Sequence, residues 1–268
     1  MNKKSRMITA GYLGPGAGIA AAGLFFIQPL LTIVILAGFI AVCAGAAFFP
    51  GTGLLLPVVS RGRPNGRAAV ALTFDDGPDP RTTPLLLALL GRYKIKATFF
   101  VAGRKAEENP RLMEEIIRSG HSVGNHTYSH DVFIMLKTMK KLAREIDSAQ
   151  EAIKKSGVVP RVFRPPAGVV NPGLGPLLKK RGLICVHYSC RGFDAGNRRV
   201  RRLAEKILGK IRPGDLVLLH DVHPGTRGFK VEQWLNEMEK IMTGLSEKGL
   251  KVVPLSEIIG QPVMTRNQ

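Results

Sequence analysis

From Ala69 to the C-terminus, short apolar stretches take turns with longer amphipathic ones, and this alternation limits the possible folds more than any other feature of the 268 residues. The short stretches, residues 70–74, 97–101, 122–125, 161–164, 183–189, 215–220 and 251–253, have the length and apolar content of buried strands. Helical spacing fills the gaps. It is clearest at Val231, Trp234, Leu235, Met238, Ile241, Met242 and Leu245, which share one face and place Trp234 in the core. Strict alternation predicts an α/β fold with a parallel sheet, closed as a barrel or doubly wound. Both forms collect chemistry at the carboxyl ends of their strands.

Ionisable residues sit at those ends. The first strand runs into Thr73-Phe74-Asp75-Asp76-Gly77-Pro78, whose Gly and Pro make a turn. Neighbouring strand side chains point to opposite sides, so the two aspartates cannot share one role: one can ligate a metal while the other stays free as a base. The third strand is followed by His126-Thr127-Tyr128-Ser129-His130; on a helical turn this spacing puts both imidazoles on one side, within reach of one ion. After the fourth comes Arg164-Pro165-Pro166-Ala167-Gly168, where prolines stiffen the backbone beside an arginine that can hold a carboxylate. The sixth ends in Leu218-Leu219-His220-Asp221, an imidazole closing a very apolar strand.

The net charge of +19 suits nucleic acid, an acidic polymer or an anionic lipid surface. Aromatics to stack bases are few and no nucleic-acid-binding module is present, so nucleic acid is not expected as a partner. Three cysteines make no disulfide framework and read as small buried side chains. Between Arg6 and Arg61 there is no charged side chain. Within that run, residues 30–49 are long and apolar enough to span a bilayer, and residues 8–27, interrupted by glycines, form a possible second span. The expected organisation is a membrane anchor over 1–60, a linker over 61–67 and a catalytic domain over 68–268. Basic residues flank the apolar run on both sides, Lys3, Lys4 and Arg6 before it and Arg61, Arg63 and Arg67 after it. The positive-inside rule thus favours two spans and a cytoplasmic domain, whereas one span sends the domain outward.

Over residues 68–259 the chain resembles the polysaccharide deacetylase family, the NodB-homology or carbohydrate esterase 4 group. TFDDG (73–77), HTYSH (126–130), RPPAG (164–168) and LLHD (218–221) match four of that family's five motifs. The resemblance implies a distorted (β/α) barrel of about seven parallel strands and metal-dependent removal of an acyl group from an amino sugar. Carried over residue by residue, it implies Asp76, His126 and His130 as metal ligands, with zinc the expected ion and cobalt or manganese the alternatives. Asp75 would be the base, held by Arg164; His220 the acid; the backbone N–H of Ala167 an oxyanion donor. The remaining motif departs from the pattern: Ser189-Cys190-Arg191-Gly192-Phe193-Asp194-Ala195 keeps a carboxylate in Asp194, expected to orient His220, but has no Trp. Ala167 stands where the family often has an aromatic, so the sugar-contacting wall is expected to be small.

Tyr128, Ser129, Asn125 and His121 are expected to support the ligands or pack, while His187 and His223 belong to no motif. The basic runs 179–181 and 198–202 are expected on helices as solvated faces, with a lipid-phosphate patch as the sharper reading. A carbohydrate-binding protein on an inactive scaffold is the competing class. Retention of both aspartates, both motif histidines and His220 favours an enzyme. Its substrate is expected to be an acylated amino sugar: a cell-envelope glycan if the inner-membrane enzyme faces outward, the arrangement most of the family suggests, or a lipid-linked sugar if it faces the cytoplasm.

Overall fold

The computed structural model describes residues 28–48, 50–62 and 68–267; the possible second span over 8–27 lies outside them. The strands are β1 (Ala69–Asp75), β2 (Thr98–Val101), β3 (Ser122–Asn125), β4 (Val158–Pro160), β5 (Val162–Phe163), β6 (Ile184–Cys185), β7 (Cys190–Arg191), β8 (Leu216–His220), β9 (Lys251–Val252) and β10 (Met264–Arg266). One sheet runs in the order β6-β5-β3-β2-β1-β8-β7, with β9 paired to the first residues of β1, and all its pairs are parallel. The separate β4–β10 ladder is antiparallel.

Strands β6 and β7 stand at opposite ends of that order, yet only residues 186–189 separate them in the chain. The five Cα-to-Cα steps from Cys185 to Cys190 reach at most about 18 Å, so the sheet has curled until its two edges nearly meet. This is the expected distorted (β/α) barrel, open along one seam. The single strand expected over 183–189 is therefore two, because the chain leaves one edge and crosses to the other. The segment preceding β1 fills the seam. Val59 bridges Val186, and Arg61 bridges Asp215 while pairing with its carboxylate at 2.6 Å. Leu56 is buried beside Leu174 and Leu178. The chain around residue 60 thus packs on the barrel, and 63–67 lie outside the described residues.

Alternation along β1 decides what enters the barrel. Val70, Leu72 and Phe74 pack with the surrounding helices, including Trp234 and Met238 of Val231–Glu247, whereas Ala69 and Ala71 join Phe100, Val162, Val186 and Leu216 in a second cluster. Small residues at the start of that second face leave room for the polar pair further along it, Thr73 and Asp75, both buried.

The helix Pro29–Phe48 is apolar on every side, with mean hydropathy 2.6 over its best window, and Leu30, Val34, Ile40 and Phe48 are exposed. At 1.5 Å per residue it is about 30 Å long. That length and composition fit a membrane anchor or a signal sequence. Its C-terminal end touches the domain, where Ala47 accepts a hydrogen bond from the Val170 N–H at 3.0 Å.

Candidate active site

Asp75 is the last residue of β1 and Asp76 the first beyond it, with φ at 72°. That left-handed step is uncommon for a residue with a side chain. The turn is tight as well as strained: a Cβ on Gly77 would lie 2.8 Å from Asp221 Oδ2, which accounts for the glycine in TFDDG. Asp221 in turn accepts from the hydroxyls of Thr82 and Thr83 at 2.8 and 2.6 Å.

The His126–His130 segment corrects one expectation. It is an irregular turn, not helical, with positive φ at Thr127 (64°) and His130 (54°). Two acceptors hold it there. Asn125 Oδ1 takes the Thr127 N–H at 2.9 Å, and Glu145 Oε2 takes the N–H groups of Tyr128 and Ser129 at 3.1 and 2.8 Å. The imidazoles still converge: Asp76 Oδ1 lies 3.3 Å from His126 Nε2 and 2.9 Å from His130 Nε2. One ligand atom from each of the three residues falls within 4.8 Å of the others.

The donor set fits a cation. His126 Nδ1 is 2.7 Å from the carbonyl oxygen of Arg164, which can only accept, so Nδ1 carries a proton and Nε2 is the ring atom turned towards Asp76. Burial raises the Asp76 pKa, but the two imidazoles and His220 outweigh it and hold the carboxyl well below its ordinary value. Burial lowers the His130 pKa, and Asp76 reverses that.

Arg164, fully buried, spends its guanidinium on this site. It donates to Asp75 Oδ1 and Thr73 Oγ1, both at 2.7 Å, and to the backbone oxygens of His187 at 2.7 Å and Val186 at 3.3 Å. The Phe100 ring lies beneath it at 4.0 Å. Asp75 Oδ2 stands 3.8 Å from His126 Nε2, outside direct hydrogen-bond range. On β8, paired with β1 in the register Asp75↔His220, His220 Nδ1 is 2.8 Å from the buried carboxylate of Asp194. Burial lowers the His220 pKa; Asp194, with help from Asp76 and Asp75, more than reverses this and raises it to about 9.

These groups line a cleft of about 460 Å³ together with Ala167, Tyr188 and Phe193. Sequence reasoning missed part of that lining. Phe193 is 56 % exposed and packs against the Arg191 guanidinium at 4.2 Å, so an aromatic stands near the position where Trp was absent. Arg198 and Arg199 also line the cleft, in a run of turns before the helix Leu203–Leu208 and not on a helix as expected. The 179–181 run behaves as expected, largely on Leu174–Lys180, with Arg181 paired to Asp147. His187, attached to no motif, packs under Gly168 and holds its carbonyl oxygen at 3.0 Å. Burial and then Arg164 push its pKa down to about 4, so it is neutral. His121 accepts the Ala97 N–H at 3.1 Å and packs edge-on to Phe99, away from the cleft. Asn197 donates to the carbonyl oxygens of His220 and Val222. Missed too were Glu145 and Asn197, whose signal lies only in contacts distant in sequence.

The family model for polysaccharide deacetylase matches residues 62–186. A peptidoglycan-N-acetylglucosamine deacetylase of Bacillus cereus is 34 % identical over 198 residues, which make up 73 % of this chain and 90 % of that protein. The chain belongs to the polysaccharide deacetylase family. A chitooligosaccharide deacetylase of Bradyrhizobium is 32 % identical, over 72 % of this chain and 92 % of its own. Among solved polysaccharide deacetylase structures, the family 4 carbohydrate esterase of Streptomyces lividans, in complex with acetate, superposes with a TM-score of 0.63 at 30 % identity, covering 71 % of this chain and 94 % of that one. The half-barrel is thus the family fold, and the Asp76–His126–His130 cluster is its candidate metal site.

Proposed function

We propose that this polysaccharide deacetylase is a membrane-anchored enzyme that hydrolyses the N-acetyl group of an amino sugar in a cell-envelope glycan, through one divalent ion held by Asp76, His126 and His130. The observation that carries the reading is the convergence of one carboxylate oxygen and two imidazole Nε2 atoms beside a second, arginine-anchored carboxylate. Three protein ligands suit a catalytic ion, and their N/O character makes zinc the default, with cobalt or manganese as alternatives. When bound, such an ion polarises the acyl oxygen and acidifies water.

The chain's own groups supply the proton transfers. Asp75, held through Oδ1 by Arg164, keeps Oδ2 to accept a proton from the attacking water. The water oxygen bonds to the acyl carbon, and the backbone N–H of Ala167 stabilises the oxyanion. His220, kept protonated by Asp194, donates from its other ring nitrogen to the departing amine as the C–N bond breaks. The products are acetate and a free amino sugar. Arg164 and Asp194 are positioning residues, and the positive φ values at Asp76, Thr127, His130, Ala167 and Phe193 fall in and beside the site, where the surrounding contacts hold the backbone in that conformation.

The anchor reading extends from residues 30–49 of the apolar run, supported by the exposed helix Pro29–Phe48. An outward-facing domain is supported by the relatives named for acting on peptidoglycan. The test is elemental analysis of the purified full chain beside acetate release from N-acetylated chitooligosaccharides. One equivalent of metal and loss of activity under chelator are expected; full activity in metal-free protein would overturn the mechanism. A reporter fused after Gln268 separately tests the side of the membrane, and a cytoplasmic signal would replace the exported glycan with a lipid-linked sugar.

A further inference from the structure

Beyond the site, the turn that carries His130 continues into an exposed apolar ridge. Val132 (45 %), Phe133 (64 %), Leu136 (81 %) and Met139 (38 %) are exposed within eight residues, and Leu136 is the most exposed large apolar side chain among the described residues. The ridge is firmly built, since its inward residues Ile134 and Met135 are buried with Leu142, Ile146 and Val170. Asn171 donates to the Met135 carbonyl oxygen at 2.9 Å. A core this well anchored does not need Phe133 and Leu136 outside it, and clustered exposed apolar side chains mark an interaction surface.

Two neighbours identify what covers it. The residue next to Asn171, Val170, donates to Ala47 at the end of Pro29–Phe48, so the ridge lies close to where the apolar helix meets the domain. On the other flank, Lys140, Lys141 and Arg144 line a shallow groove with Thr138, Glu145 and Ser148, and Lys140 and Lys141 are exposed. Glu145 is engaged by the His126–His130 turn, and Asp131 by Lys137. An apolar tip with a cationic collar, next to a helix of membrane length, is complementary to an anionic bilayer surface.

We propose that residues 132–139 insert shallowly into the anionic bilayer that holds the anchor, with Phe133 and Leu136 among the acyl chains and Lys140, Lys141 and Arg144 at the headgroups. Val132 lines the active-site cleft, so insertion holds the cleft mouth at the membrane surface. This rests on the anchor reading of Pro29–Phe48, and the test separates the two. The sole tryptophan, Trp234, is fully buried, so an added one reports its own surroundings. Full-length Phe133→Trp and Leu136→Trp are reconstituted in phosphatidylcholine–phosphatidylglycerol vesicles containing lipid brominated near the headgroup end of the chains. Val34→Trp serves as anchor control and Leu85→Trp as exposed control.

Tryptophan at 133 and 136 is expected to lose most of its emission, and to lose less in phosphatidylcholine alone, while 85 stays bright. Quenching at 34 but not at 133 and 136 would overturn the insertion, keep the anchor and assign the ridge to a protein partner. Quenching at 133 and 136 but not at 34, with lipid brominated deep in the chains included for that control, would keep the insertion and overturn the anchor. Equal quenching in both vesicle types would remove the cations from the proposal.

Discussion

The two walls of the cleft are built on different principles. On one, Asp76, His126 and His130 bring together an anion and two imidazoles, one of them oriented by the Arg164 carbonyl so that its Nε2 faces Asp76; this wall has the ligand set of a cation site. On the other, His220 and Asp194 form a dyad that is complete by itself, with the imidazole holding its proton to about 9. One wall is made to bind and the other to exchange protons. Substitutions on the two sides are expected to separate metal content from turnover.

The largest effects test that separation directly. His126→Ala and Asp76→Asn are expected to lose both metal and activity, whereas His220→Ala and Asp75→Asn keep metal and lose turnover by about 10²–10⁴. Metal content measured beside kcat decides it. Metal lost from Asp75→Asn and retained in Asp76→Asn would exchange the two carboxylates and break the comparison.

Arg164 joins the walls, because its side chain holds Asp75 and its carbonyl oxygen orients His126. Arg164→Leu leaves the Asp75 carboxyl buried without its partner and is expected to cost about 3–5 kcal/mol of stability. Denaturant unfolding measures it, and a wild-type midpoint would show that Asp75 is not dependent on the pair. On the metal side alone, Glu145→Ala frees the N–H groups of Tyr128 and Ser129 and is expected to weaken metal binding by about 10–100-fold. Competition with a chromophoric chelator reads this. Undiminished affinity would assign the strained turn to other contacts.

The smallest effect sharpens the second wall. The folded-state pKa of His220 lies above its ordinary value of 6.5, so the stabilisation from Asp194 is fully present below 6.5 and lost as pH rises through about 9. Asp194→Asn removes the charge that raises it, and the alkaline limb of kcat/KM is expected to move from about 9 towards 6.5 with metal content unchanged. The stability deficit of this variant should likewise be present in acid and vanish above the folded pKa. An unmoved alkaline limb would assign it to another group.

Much of this architecture is legible in the residues alone. Period-2 alternation turns Val70, Leu72 and Phe74 towards the helices and Thr73 and Asp75 into the barrel, and the amphipathic stripe puts Trp234 in the core, whereas the left-handed step past β1 brings Asp76 into the same cleft as Asp75. The motifs at strand ends mark the cleft, and the charge-free run preceding Arg61 marks an apolar helix. Features made by contacts far apart in sequence escape the chain's local pattern. Residues 183–189 read as one strand, since only the closure of the sheet makes the chain cross from β6 to β7. His126 and His130 read as helical neighbours, since only Asn125 and Glu145, the latter from a distant helix, stabilise the left-handed turn that brings them together. Phe193 and the arginines at 198 and 199 become part of the cleft because the loop after β7 folds back over the barrel mouth. Spacing along a strand is local geometry and is written in the residues; which loop faces which across a barrel depends on where the sheet closes, and only the tertiary structure decides that.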